Sequence, residues 1–281
     1  MRKYFILIIL FITIFLNFFN ISFAQKRVFY YSGDIYESVQ TDFSKNYVCN
    51  LDELENVATT LMNQKKWGDL VVIYDRCVEK YPEKPFLYNN RAHVYKMLNK
   101  YDLALDNYEK AISLDGFYVN PYLGKASLLI FQSKEDEALK ILDRVLSFET
   151  KEATAYYYKA LAFKFKGDKE NAFKNYTLSI KYANNTIPIA YFDRGNLFAS
   201  YKHDYKKAIS DYTKCIKIIE SESSKDFVYL DSLAKVYYNR SLVYYKLNNK
   251  KNSVKDLKTA YILFKQEGNN AMVEELKKLF E

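Results

Sequence analysis

The side chains of widest chemical reach in this chain are three cysteines, Cys49, Cys77 and Cys215, and two histidines, His93 and His203. A zinc site needs such residues at short, regular spacing, so that several ligands converge on one ion. Neither histidine has a cysteine or carboxylate at that spacing, and the cysteine spacings match no metal site. No glycine-rich phosphate loop, no Gly-x-Ser-x-Gly elbow and no Cys-x-x-Cys pair occurs. Carboxylate pairs are plentiful, but a charged helical face is ordinarily just solvated. The expectation is therefore no catalytic residue, no metal and no cofactor. An odd cysteine count leaves at least one thiol outside any bridge within the chain, and packing is the expected role of these sulfurs.

The elements around these residues are helical. Only seven glycines and four prolines occur in 281 residues, too few for the many tight turns of a strand-rich fold. Tyrosine alone contributes 28 residues to the core material. The formal charge of +8 is spread along the chain without a dense basic run. An acidic partner or anionic surface is one reading of it, and a lysine-rich solvated surface is the other. Residues 1–24 read as a signal peptide: Met1-Arg2-Lys3 is basic, Phe5 to Leu16 is apolar except for Thr13, and Ser22-Phe23-Ala24 carries small residues where a peptidase cleaves. An exported chain, periplasmic or secreted, is expected. An uncleaved anchor is the alternative, and only then is membrane contact expected.

Self-similarity organises the rest. Ala92, Ala126 and Ala160 stand 34 residues apart, and Ala104, Ala138 and Ala172 follow each at a distance of 12. Tyr88, Tyr122 and Tyr156 precede the first set, while Tyr108, Leu142 and Tyr176 follow the second. The frame extends back to Leu54, Ala58, Leu70, Tyr74 and Cys77, and forward to Gly195, Ala208, Tyr212 and Cys215, then Ser241, Ser253, Leu257 and Ala260. Tyr88, Ala92 and Tyr95 share one helical face, as do Ala104, Tyr108 and Ala111. So short a break between them, at Asn99-Lys100, makes the two helices antiparallel neighbours. Helix pairs are predicted over 52–80, 86–114, 120–148, 154–182, 188–219 and 225–264. A final helix over 271–280 carries Met272, Leu276 and Leu279 on one side and caps the array. One extra residue enters near Lys202-His203, and a longer surplus lies between Ile219 and Asp231. Glu220 to Lys225 is read as a turn, with a lengthened helix start or a loop insertion after it.

This pattern resembles the tetratricopeptide repeat over about 51–261, in six units at about 51–84, 85–118, 119–152, 153–186, 187–222 and 223–264, with a cap at 265–281. Tyr88-Asn89-Asn90-Arg91-Ala92 and Asp204-Tyr205-Lys206-Lys207-Ala208 look like well-preserved members, and Pro82 fills the closing-proline slot of the first unit. The resemblance implies an all-α fold, a right-handed α-solenoid of six tetratricopeptide-type helix pairs plus a C-terminal capping helix. Residues 25–50 show no match and are expected to form an arm or a starting cap.

The resemblance also implies a function: the first helices line a concave groove that binds proteins. The positions that fall there are Asn89, His93, Lys96, Leu123, Ser127, Ile130, Phe131, Tyr157, Leu161, Lys164, Phe165, Phe192, Asn196, Tyr238 and Tyr245. They mix aromatic and aliphatic anchors with amides and lysines, as protein interfaces do. The alternative is that some of them pack against each other along the groove. The two-carboxylate clamp of some relatives does not match, since its points fall on Glu55 and Thr59 or Asn89 and His93, and then on Asn120 and Gly124 or Thr154 and Tyr158. The expected partner is another protein or a peptide, with no nucleic acid. A tethered assembly factor, and a carbohydrate-binding protein or enzyme using the groove, are the alternatives.

One column of basic residues, Arg91, Lys125, Lys159, Arg194 and Arg240, precedes the small residue in five units, with Val57 as the exception. Sixteen or seventeen residues on stand Ile73, Asn107, Ile141, Asn175, Asp211 and Asp256. The match predicts contacts of Arg194 with Asp211, Arg240 with Asp256 and Arg91 with Asn107, against the alternative of a basic stripe for an acidic ligand. Lys125 opposite Ile141 breaks the match.

Overall fold

A computed structural model describes residues 47–184, 187–221 and 233–280, without the side chains of 279 and 280. The expected leader, most of the N-terminal arm, the surplus around residues 222–232 and the Leu279 side chain lie outside the described residues.

Regular structure among the described residues is helical throughout. The first unit, ending at Asn184, contains α1 (Leu51–Asn63), α2 (Trp67–Lys80), α3 (Pro85–Met97), α4 (Tyr101–Leu114), α5 (Val119–Phe131), α6 (Glu135–Phe148), α7 (Ala153–Phe165) and α8 (Lys169–Tyr182). The second, from Asn185 on, contains α9 (Pro188–Leu197), α10 (Tyr205–Ser221), α11 (Leu233–Lys246), α12 (Lys250–Gln266) and α13 (Asn270–Phe280). These spans follow the predicted pairs closely. Glu220 and Ser221, expected to open the turn, are still helical in α10. Each unit is a stack of such pairs.

The break inside each pair has one geometry. Lys65, Asn99, Ser133, Gly167 and Asn248 hold φ between 55° and 81°, the left-handed conformation that ends a helix. The following amide then closes the end, as when Lys100 N–H donates to Tyr95 O at 2.9 Å, Lys134 to Leu129 O at 2.9 Å and Asn249 to Tyr244 O at 2.9 Å. The fifth pair carries its extra residue here. Phe198–Lys202 winds as a π-helix after α9, His203 takes the left-handed position at φ 54°, and Asp204 N–H reaches back one residue further, to Phe198 O at 2.9 Å. The insertion is absorbed in a wider turn, and Ala208 keeps its place in the frame.

Ala92, Ala104, Ala126, Ala138, Ala160, Ala172, Ala208, Ser241 and Ala260 are completely buried, and Gly195 and Ser253 are buried as well. Against them lie bulky residues with no more than 1% exposure: Tyr108, Leu142, Tyr176 and Tyr212. The approach is closest at two glycines. A Cβ added to Gly124 would stand 2.5 Å from the Tyr108 ring, and one at Gly195 would stand 2.8 Å from the Tyr212 ring. The last helix closes the second unit by seating Val273 and Leu276 on Phe264, Leu257 and Tyr238, the cap that a terminal repeat requires.

The cysteines correct one expectation. Cys49 and Cys77 are joined in a disulfide across 28 residues rather than serving only as spacers. The chain ahead of α1 folds back over α2: Arg76 Nη1 donates to Tyr47 O at 2.5 Å, Lys80 Nζ donates to Cys49 O at 2.9 Å, and Tyr47 is buried. Residues 47–50 are thus a starting cap. Cys215 is free and buried, as its place in the small-residue column implies. Burial, with Asp193 and Asp211 nearby, pushes its thiol up to about 12.

Gly124→Ala is expected to destabilise the protein by about 1–3 kcal/mol in urea unfolding, because the fully buried Tyr108 ring has nowhere to retreat. Unchanged stability would mean that α4 and α5 separate more readily than their packing implies.

Candidate partner-binding face

The first helices of consecutive repeats lie side by side in the first unit. α3 touches α5, and α5 touches α7. Lys96 Nζ on α3 lies 3.4 Å from Ser127 Oγ on α5, a hydrogen bond across the seam. Burial divides the fifteen predicted groove residues. Ile130 is 1% exposed, so it belongs to the core and is closed to a partner. Asn89, Leu123, Tyr157 and Leu161 are also buried, consumed where neighbouring helices meet. His93 and Phe165 are exposed, while Lys96, Ser127, Phe131 and Lys164 are half-buried. These six, on α3, α5 and α7, remain as contact surface.

His93 sits in a recess. Its outer edge meets solvent, and its ring stands edge-on to the buried Tyr108 at 5.7 Å between centroids. Desolvation by the surrounding protein, helped by the Lys96 cation, lowers its pKa to about 4, so the ring is neutral at pH 7. Desolvation also lowers the pKa of Lys96. The recess presents a neutral imidazole beside an ammonium, a pairing suited to hydrogen-bond acceptors.

In the second unit Tyr238 is 1% exposed and is core, which again corrects the expectation. Phe192 and Tyr245 are half-buried, and Phe192 leans on Tyr212 at 6.0 Å between centroids. Asn196 is engaged internally: its Oδ1 accepts from Tyr212 OH at 2.8 Å and from Asn239 Nδ2 at 2.9 Å, tying α9, α10 and α11 together. Sequence reasoning missed that network, because an amide on a first helix reads equally as surface or as link.

The basic column is structural. Arg194 forks onto Asp211 at 2.8 and 2.9 Å, and Arg240 onto Asp256 at 2.6 and 2.9 Å. Arg91 Nε donates to Asn107 Oδ1 at 2.8 Å. A second layer was not anticipated, for several of these cations also reach back to the preceding repeat. Arg91 pairs with Asp75 at 2.7 Å, Lys125 with Glu109 at 2.6 Å and Lys159 with Asp143 at 2.5 Å, while Arg240 Nη1 donates to Thr213 Oγ1 at 2.9 Å. Lys125 needs no polar group at Ile141 because its partner lies one repeat back. Among the described residues no group of three or more His, Cys, Asp or Glu is placed to hold a metal ion.

Residues 85–118 and 234–266 each match a family model described as tetratricopeptide repeat, covering the second and most of the sixth predicted unit. The chain is 29% identical over 103 residues to small glutamine-rich tetratricopeptide repeat-containing protein 2 of Saccharomyces cerevisiae, a match covering 37% of this chain and 30% of that protein. It is 26% identical over 98 residues to Hsp70-Hsp90 organizing protein 2 of Arabidopsis thaliana, covering 35% and 17%. The chain therefore spans under a third of either relative's length. Among solved structures, PilW, described as a type IV pilus biogenesis factor, superposes with a TM-score of 0.62 at 14% identity, covering 83% of this chain and all of that one. That likeness is one of fold.

Asp256→Ala is expected to cost about 3 kcal/mol, since it strands the Arg240 guanidinium, itself only 12% exposed. Glu109→Ala removes a carboxylate that is 61% exposed and should cost less than about 1 kcal/mol. Equal losses in denaturant unfolding would mean that the Arg240 fork carries no more weight than a surface pair.

Proposed function

Because the chain is a tetratricopeptide-repeat protein, and proteins of this family act as protein-interaction scaffolds, we propose that it is an exported scaffold holding a peptide segment or partner domain against its first helices. The observation that carries this reading is the accessible set on the adjoining helices α3, α5 and α7: His93 and Lys96, Ser127 and Phe131, Lys164 and Phe165. Phenylalanine there buries much area with few rotatable bonds, and the lysines and imidazole orient a polar backbone or an acidic side chain.

Two features support export. Residues 1–24 have the order of a secretory leader: basic start, apolar run, small residues at the end. The Cys49–Cys77 disulfide belongs to an oxidising compartment, the periplasm or the outside of the cell.

Each half of the proposal has its own measurement. With a photocrosslinking residue placed at Phe165, the native cell should yield one discrete adduct, and Phe131→Ala with Lys164→Ala should weaken it at least tenfold while helicity by circular dichroism stays constant. An adduct insensitive to those changes would remove this face from the function. Thiol trapping in the cell should find Cys49 and Cys77 oxidised and Cys215 reduced. Three reduced cysteines would place the chain in a reducing compartment and refute export.

A further inference from the structure

The outer faces of the second helices differ in charge from one another. On α4 the exposed positions include Asp102, Asp106 and Glu109, and on α6 Asp136, Glu137 and Asp143 stand among Lys140 and Arg144. On α12 the exposed side carries Lys251, Val254, Lys255, Lys258, Ile262 and Lys265. At roughly 100° per residue these six fall within a stripe about 100° wide. The buried Ser253, Leu257, Ala260 and Phe264 occupy the opposite side. Asp256 is the single acid of α12, and it faces inward under Arg240. No carboxylate among the described residues pairs with the four lysines, and between them Val254 and Ile262 are 47% and 55% exposed. Arg240, bonded to Thr213 of α10 and Asp256 of α12, shows that these two helices are neighbours. The outward side of α10 adds Lys206 and Lys217.

The geometry points to the outer face of α12, extended by α10, as a docking surface for an anionic phospholipid bilayer. On α12 the exposed aliphatics stand among lysines alone, whereas the faces of α4 and α6 carry acidic or mixed charge. Four or more lysines on one amphipathic helix attract anionic headgroups, and each contributes near the surface. Their methylene stems lie along the interface while Val254 and Ile262 reach the acyl boundary. Single-stranded nucleic acid is read by aromatic stacking and arginine, which the stripe lacks. An acidic protein would match the lysines but leave both aliphatics in water or demand an apolar counterpart. No helix among the described residues is long and apolar enough to cross a membrane, so attachment through them is peripheral. This surface shares no residue with the first-helix face, and either assignment stands without the other.

The test is flotation of the full-length protein with vesicles of phosphatidylcholine alone or vesicles rich in phosphatidylglycerol. The apolar N-terminal segment, where retained, inserts into both, so the difference between them isolates the stripe. Preferential binding to the anionic vesicles, reduced by high salt, is the expected result. Replacing the four lysines, Lys251→Gln, Lys255→Gln, Lys258→Gln and Lys265→Gln, should lower that partition by about 100-fold or more. Val254→Ser with Ile262→Ser should lower it while leaving the salt dependence in place. Circular dichroism confirms that each variant is folded, and the Phe165 adduct should persist in all of them. Equal binding to the two vesicle types, or a four-lysine variant that binds like the parent, would overturn the assignment. So would retention of polyglutamate or a DNA oligomer without vesicle partition.

Discussion

Everything in this molecule depends on how closely two helices can approach. Where Gly124 meets the Tyr108 ring, or Gly195 the Tyr212 ring, there is no room for even one further carbon. The same demand recurs at each alanine and serine of the small-residue column, and it makes the repeat a repeat. Once α3 and α4 are locked in this way, the turn between them must reverse in very few residues. That requires the left-handed conformation at Asn99, and the closed turn in turn fixes where the next helix starts. Packing of small against large thus propagates along the chain and leaves one side of each pair free to differ.

Much of this was legible in the amino-acid order. Spacing of small residues is a steric signal, so the first five helix pairs, the buried columns and the cap could be read within a residue or two. The fork of Arg240 onto Asp256 was legible for a related reason: the two residue types vary together between repeats, as partners in one slot do. The failures are as physical as the successes. Cys77 stands in a column that small residues fill anyway, so its role in a bridge was masked by a simpler explanation. Tyr238 and Ile130 sit on first helices where a face can turn either to a partner or to the neighbouring helix, and helical period alone does not distinguish the two. Backward pairs such as Lys125 with Glu109 require knowing how one repeat sits on the one before, which intra-repeat spacing does not contain.

The charge pairs and the apolar packing divide the work between them. Alanines and tyrosines decide that helices meet, while the basic column decides at what register they settle. Arg91 touches α2 and α4 at once, and Arg240 does the same for α10 and α12. A cation bridging successive second helices resists sliding of one pair over the next, which apolar contact alone permits. The π-turn after α9 answers the same need, since it disposes of one surplus residue before the frame resumes at Ala208.

The cysteines carry a consequence for biosynthesis. Cys49 and Cys77 precede Cys215 by well over a hundred residues, so under the proposed export a chain threaded through a translocon N-terminus first would present them to oxidants while the third thiol is still behind the membrane. The first bridge available is then the native one. When Cys215 follows, its own helix pair closes over it and holds the sulfur protonated, leaving scarcely any thiolate to attack the finished bond. Order of emergence and depth of burial together act as an assembly line with a single correct product, and a circular permutation that brought Cys215 out ahead of Cys77 would lose that protection.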